Sequence, residues 1–310
     1  MKTTLFSESR FNDDDAAREH LESIRWPNGS ACPHCGGHDR QSKLEGKAHR
    51  PGLYFCGHCR KQYTVTVGTV FERSKVPLHK WLLATHLMCS SKKGISAHQL
   101  HRTLGVTYKT AWFMAHRIRE AMSIEPTGKL GSGGSPVEVD ETYWGNNGKQ
   151  AKGARGWAHK MKVVSLVERN GEKRSFHVAN VTAKTVTPIL KKQMSKRARL
   201  MTDESRVYNQ VGKAFASHEK VNHSAGEYSH GDVTTNTVES SFAILKRGLY
   251  GSYHHVSEAH LQRYVNEFDF RWNSRGKLGF SDTDRTLMAL RGIDGKRLMY
   301  NQPNKKEEIN

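Results

Sequence analysis

What the chain lacks sets the first limits. None of its 310 residues falls in a run approaching the roughly 18 consecutive apolar residues of a membrane-spanning helix. Its start, MKTTLFSESRFNDDDAAREH, carries acids where a secretory signal needs an apolar core. A cytoplasmic location is therefore expected, and thiols stay reduced there. Cysteine is scarce, at five residues, so disulfides do not explain those present. Acid is also in deficit, with 30 Asp and Glu against 49 Lys and Arg and a formal charge of +19. A field of that sign draws polyanions, which makes nucleic acid the first partner to consider. There is no internal repeat, and the length suits a catalytic domain preceded by one or two small modules.

Composition divides the chain. A short leading helix is expected over Asp13 to Trp26, within residues 1–30, because acids precede a helically spaced apolar pattern that stops at PNG. A Cys-rich stretch (31–76) and a helical stretch (77–127) follow. GKLGSGGSP, at 128–136, reads as a flexible linker. Residues 137–300 read as an α/β domain with a mixed sheet. Its expected order is a strand at PVEVDETYW, a hairpin turning at Asn170-Gly171, a helix from Ala183 to Met194, a strand ending at Asp203, then mostly helices. Residues 301–310 read as a disordered tail.

Cys32 and Cys35 form one C-x2-C knuckle and Cys56 and Cys59 another, with twenty residues between them. Four thiolates at that spacing suit one tetrahedral structural Zn²⁺, and a segment this short has too little core to fold without it. His34 and His58 lie inside the knuckles, but each knuckle already supplies two thiolates. Cys89 sits in a helical run and reads as a small core residue.

Residues 95–122 hold two helical patterns joined at Leu104-Gly105-Val106, with Thr107 placed to cap the second. That is helix-turn-helix spacing. Read so, Lys109 approaches a DNA groove while Arg117 and Arg119 lie near phosphates. Read otherwise, the pair is a plain helical hairpin with core contacts through Leu104, Trp112 and Ile118. His101 stands where such motifs usually carry a small residue.

Two acids stand at strands. Alternation puts Val137 and Val139 on one face and Glu138 and Asp140 on the other, and a second strand ends at Asp203. Either acid alone reads as a turn or cap residue. Together they form a hard oxygen donor pair for Mg²⁺. A third acid would let two ions act on one phosphodiester. TNTVESSFAILKR, Thr235 to Arg247, supplies the candidate. On a helical wheel Val238, Phe242, Leu245 and Leu249 form an apolar stripe, with Glu239 and Lys246 together on its edge. Asn236 points further towards solvent and has the spacing of a cap for a helix on which Glu239 is the capping-box partner.

With Asp140, Asp203 and Glu239 aligned, the chain resembles the DDE transposases of bacterial insertion sequences, in particular their zinc-ribbon, ISXO-type branch. Thirty-five residues separate Asp203 from Glu239 and six separate Glu239 from Lys246, as in that superfamily. The two knuckles, VEVDETYWGNNGK, TNTVESSFAILKRGLYGSYHHVS and HLQRYVNEFDFRWNSR carry the match across about residues 15 to 275. The resemblance implies an RNase H-like catalytic domain. It implies cleavage at transposon ends and joining of the 3′-hydroxyl to target DNA, with two Mg²⁺ (or Mn²⁺) held by Asp140, Asp203 and Glu239. Lys246 and Arg247 would then bind phosphates, and the partners would be terminal inverted repeats and target DNA, met by at least a homodimer in a nucleoid-associated complex. Some members of the branch carry Asn as the third residue, so Asn236 stands as the alternative to Glu239. Two other functions share parts of the pattern: a zinc-ribbon DNA-binding regulator without catalysis, and an RNase H-like nuclease without strand transfer.

Overall fold

The computed structural model describes residues 5–145, 157 and 159–299. The chain divides into two compact units, residues 1–123 with 280–310 and residues 124–279.

In the first unit, helix α1 (Asp14–Arg25) begins where the Asp13 carboxylate accepts the Ala16 N–H at 2.8 Å, and it buries Ala17 and Leu21. A three-stranded antiparallel ribbon follows, β1 (Gln41–Lys43), β2 (Tyr54–Cys56) and β3 (Gln62–Tyr63), in that order. Trp26, Tyr54 and Tyr63 pack beside its cysteines. Next come α2 (Leu78–Ser90), α3 (Ala97–Leu104) and α4 (Tyr108–Met122). Ser96 and Thr107 cap α3 and α4, and Gly105 takes the left-handed conformation (φ 60°) that a turn this tight requires. Cys89 is buried, as expected of a core residue.

The second unit carries a five-stranded mixed sheet. Strands β4 (Pro136–Trp144), β5 (Met161–Glu168) and β6 (Lys173–Val178) are antiparallel neighbours. Asn170 turns the β5–β6 hairpin at φ 61°. Helix α5 (Ala183–Gln193) leads to β7 (Arg199–Thr202), the single turn α6 (Asn209–Gly212) and β8 (Ser217–Lys220). Strands β7 and β8 run parallel to β4, giving the order β6-β5-β4-β7-β8. A small hairpin, β9 (Ser229–His230) and β10 (Val233–Thr234), precedes α7 (Asn236–Gly248). One π turn, Leu249–Tyr253, then leads to α8 (Glu258–Asn273).

The alternation of β4 divides its side chains between two cores. Val137 and Val139 meet Leu200, Val186, Leu190 and Tyr208 on the α5 side. Trp144 on the other face meets Leu245, Leu249, Leu261 and Val265 of the α7 and α8 layer. Each fully buried aliphatic side chain contributes about 1.5–3 kcal/mol, so the sheet is fixed from both faces. Strand β8 and the β9–β10 hairpin were not read from the sequence, because SHEK, SH and VT are too short and polar to show a period.

Residues 128–136 are not a free linker. Leu130 is 1% exposed within the α5-side core, and its N–H donates to the Gln193 carbonyl at 2.9 Å. Gly131 sits at φ 69°, where an added Cβ would meet the Ala198 Cβ at 2.3 Å. Its glycine thus answers a close approach as well as a left-handed backbone. The expected boundary at 300 also moves. Helix α9 (Asp282–Arg291) buries Thr286, Ala289 and Leu290 against the first unit, packing on α1, α2 and α4. An amphipathic pattern shows that a face is buried but not against which core.

No helix among the described residues is long and apolar enough to cross a membrane. The expected tail at 301–310 and much of WGNNGK lie outside the described residues.

Candidate functional site

The ribbon brings its four thiols together. Cys32 and Cys59 Sγ lie 3.6 Å apart, as do Cys35 and Cys56 Sγ, and all four fall within 4.8 Å of one another. Around them stand donors suited to thiolate. Backbone N–H groups of Cys59 and His58 and the Gln41 amide, 3.4 Å from Cys56 Sγ, hold the Cys56 thiol down to about 6. The Tyr63 hydroxyl in turn holds Gln41, at 2.8 Å. His58 is engaged elsewhere, its Nε2 2.6 Å from Asp39. The donor set fits one tetrahedral zinc.

The two helices expected to meet DNA are present, with Tyr108 exposed and stacked on His98 at 4.3 Å. Lys109 is exposed at the start of α4. His101, the unusual residue in the turn, donates from Nδ1 to the Val106 carbonyl and so closes the turn itself. Arg117 is a correction. It is 6% exposed, donates to the Glu72 carbonyl at 2.7 Å and stacks over Trp81, so it serves the core of its unit instead of a phosphate. Arg119 is likewise buried.

In the second unit, Asp140 lies within β4, opposite Ser165 of β5. It is not at a strand end, because β4 runs on to Trp144. It is instead where the parallel ladder with β7 has stopped, two residues past the Glu138–Met201 pair. Asp203 follows Met201 by the same two residues, just past the end of β7 at Thr202. Burial pushes the Asp140 carboxyl up to about 8, and the charges of Glu141, Asp203 and Glu239 add to the effect against the opposing Glu141 N–H. Burial also raises Asp203, with Glu204 and Glu239 adding to it, while the Ser205 N–H and His223 oppose it.

Glu239 stands in the first turn of α7, half-buried, with the Thr235 hydroxyl donating to it at 2.7 Å. Val238, Phe242, Leu245 and Leu249 are all buried, so Glu239 and Lys246 occupy the border of the apolar stripe. Arg247 is exposed. Asn236 is exposed as the first helical residue; Thr235 holds the N-cap position, and no side chain of the helix caps it. The expected capping box of Asn236 and Glu239 is therefore absent.

Two acids and a histidine whose roles no local pattern of the sequence assigns belong here. Glu138 is fully buried and accepts the Thr237 and Val238 N–H groups at 2.8 and 3.0 Å. Glu204 accepts the N–H groups of His223 and Ser224, and the Ser224 hydroxyl holds its carboxyl down to about 2. That grip sets His223 Nε2 3.7 Å from Glu239. The signal for Glu138 was its place on the inward face beside Asp140, since an acid there must be paired. NHSAGEY offered no comparable signal.

Among the described residues only the cysteines gather three or more ligand atoms within 4.8 Å. Asp140 nevertheless lies near enough to Asp203 and Glu239, and Asp203 to Glu239, for those charges to add to the effect of burial, and a hard cation would relieve that cost.

Residues 132–273 match the ISXO2-like transposase domain, and residues 12–62 match the transposase zinc-ribbon domain. The chain belongs to the ISXO2-like transposase family. The transposase is also similar to an uncharacterised protein in transposable element ISH50 of Halobacterium salinarum (strain ATCC 700922 / JCM 11081 / NRC-1). The two are 30% identical over 278 residues, covering 84% of this chain and 91% of the relative. The transposase domain contains Asp140, Asp203 and Glu239, and the zinc-ribbon domain contains all four ligand cysteines.

Proposed function

We propose that this transposase cuts DNA at the ends of its element by metal-dependent phosphodiester hydrolysis and joins the freed 3′-hydroxyl to target DNA. The observation that carries the reading is the convergence of Asp140, Asp203 and Glu239, from two adjacent strands and one helix, close enough for each to feel another's charge. The sheet order, with an antiparallel β4–β5–β6 half joined to parallel β7 and β8, supports an RNase H-like domain.

Asp140, Asp203 and Glu239 would hold Mg²⁺, which supplies Lewis-acid stabilisation of the attacking and leaving oxygens. In this reading β4 carries Asp140, Asp203 follows the end of β7, and α7 carries Glu239. Asn236, exposed one turn earlier, stays the competitor for the third position. Lys246 sits two turns beyond Glu239 on the same border, and with Arg247 it is placed to neutralise phosphates. Lys109 serves the groove-facing helix, and a homodimer on paired terminal repeats follows from the need to bring two ends together. A regulator without catalysis gives no reason for Asp140 and Asp203 to be buried within reach of each other's charge and of Glu239's.

The test is Asp203→Asn on terminal-repeat DNA in Mg²⁺. DNA binding is retained while cleavage and joining are lost; joining at the wild-type rate contradicts the role of Asp203. Cleavage without joining in the unaltered protein assigns it instead as a nuclease.

A further inference from the structure

Glu138 is a fully buried acid that accepts from five donors, and it is not one of the three acids assigned to metal. It is fully buried on β4, two residues before Asp140 and on the same face. One oxygen accepts the N–H groups of Thr237 at 2.8 Å and Val238 at 3.0 Å. The other accepts the Thr237 hydroxyl at 2.8 Å and the Arg169 guanidinium, Nε at 3.2 Å and Nη2 at 3.0 Å. With five donors on two oxygens, no lone pair remains for a cation.

Those bonds stand in for the missing cap of α7. Thr235, at the N-cap position, makes no cap bond because its hydroxyl turns to Glu239. The orphan amides and positive dipole of the helix start are met instead by a carboxylate from a strand about a hundred residues earlier. Glu239 follows Val238 directly, so the bonded amides and the third acid lie in the same helical turn. Arg169 extends the clamp, donating from Nη1 to the Asp232 carbonyl at 2.8 Å in the hairpin that leads into α7. Arg199 grips the Asp232 carboxylate at 2.8 and 3.1 Å.

We propose that Glu138 is a positioning residue that fixes the spacing between the Asp140 strand and the Glu239 helix, and thereby the affinity and geometry of the metal site. This rests on the reading that Asp140 and Glu239 share that site. Glu138→Gln puts an amide N–H₂ against an array made only of donors, so one end of the clamp must open while the volume is kept.

The experiment uses full-length protein and measures two things, the Mg²⁺ concentration at the midpoint of the Mg²⁺-induced rise in Tm, and cleavage of terminal-repeat DNA. Glu138→Gln is expected to keep zinc content and DNA binding, to shift the Mg²⁺ midpoint upward about tenfold or more, and to slow cleavage by a similar factor at fixed Mg²⁺. Asp140→Asn is the reference and should lose the Mg²⁺-induced rise altogether. If Asp140→Asn loses the rise while Glu138→Gln keeps the wild-type midpoint, the clamp is overturned and the metal site stands. If Asp140→Asn keeps the rise, the shared metal site is overturned and the clamp's role falls with it. Should Glu138→Gln fail to fold, Arg169→Met decides. It removes the guanidinium that ties Glu138 to the Asp232 carbonyl while both backbone bonds remain, so it is read together with Glu138→Asp, which shortens the reach to those amides; an unchanged midpoint in both overturns the proposal.

Discussion

The zinc site and the proposed carboxylate site of this transposase are built on opposite plans. The zinc site draws all its ligands from residues 32–59, and its thiols already lie within 4.8 Å of one another. The proposed carboxylate site draws on residues 140, 203 and 239, and burial, with the charges of Glu141, Asp203 and Glu239 adding to it, pushes Asp140 up to about 8. One site is local and closed, and its metal is a fold component. The other is assembled by topology and held under the tension of burying charge, as would suit a site that, on the proposed function, exchanges water, 3′-hydroxyl and phosphate around a metal.

The largest effect that sharpens this contrast is expected at the zinc. Structural zinc is worth about 10–16 kcal/mol of apparent binding energy in small domains, more than a ribbon of this size can replace. Cys56→Ser should abolish the roughly one zinc per chain expected of a four-thiolate site. Hydrogen exchange should then quicken through residues 30–65 while the β4–β8 sheet keeps its protection. Loss of protection in the sheet as well would break the separation of the two centres.

Next in size is the cost of ionising Asp140 without metal. Its folded pKa lies above its unfolded one, so the metal-free fold prefers the protonated group. Stability is therefore greatest below about pH 4 at this group and is lost as pH rises towards 8, by up to about 1.4 kcal/mol per unit. Asp140→Asn should flatten that fall and raise the metal-free Tm at pH 7.5 even as it stops cleavage. A lower Tm in the variant would mean that the tension is not there.

Smaller effects separate two basic residues of the first unit. Arg117→Ala should destabilise the protein by about 1–3 kcal/mol, since it removes a buried side chain that packs over Trp81 and leaves the half-buried Glu72 carbonyl without its donor, and should leave the salt dependence of DNA binding unchanged. Lys109→Ala should do the reverse, lowering the salt slope by about one with stability intact. Equal salt slopes for both variants would remove the distinction.

The same contrast explains what the sequence could convey. Two C-x2-C pairs encode the zinc site by spacing alone, and the valines of β4 encode a face by alternation. Asp140 and Asp203 were legible as acids at strands, but that their strands are parallel neighbours comes from the β4–β7 pairing, which no local pattern records. Glu138 was visible as an inward acid. That it caps α7 depends on a contact between residues 138 and 238, which only the fold creates. GKLGSGGSP misled because glycine serves close packing as readily as flexibility, as Gly131 against Ala198 shows.

The central claim is that the carboxylate site is completed by the helix α7 acid and not by the amide one turn earlier. Strand transfer of terminal-repeat DNA, compared between Glu239→Gln and Asn236→Ala, tests it most directly. Joining should vanish in Glu239→Gln and persist in Asn236→Ala. Joining that survives the first change and disappears with the second would contradict it.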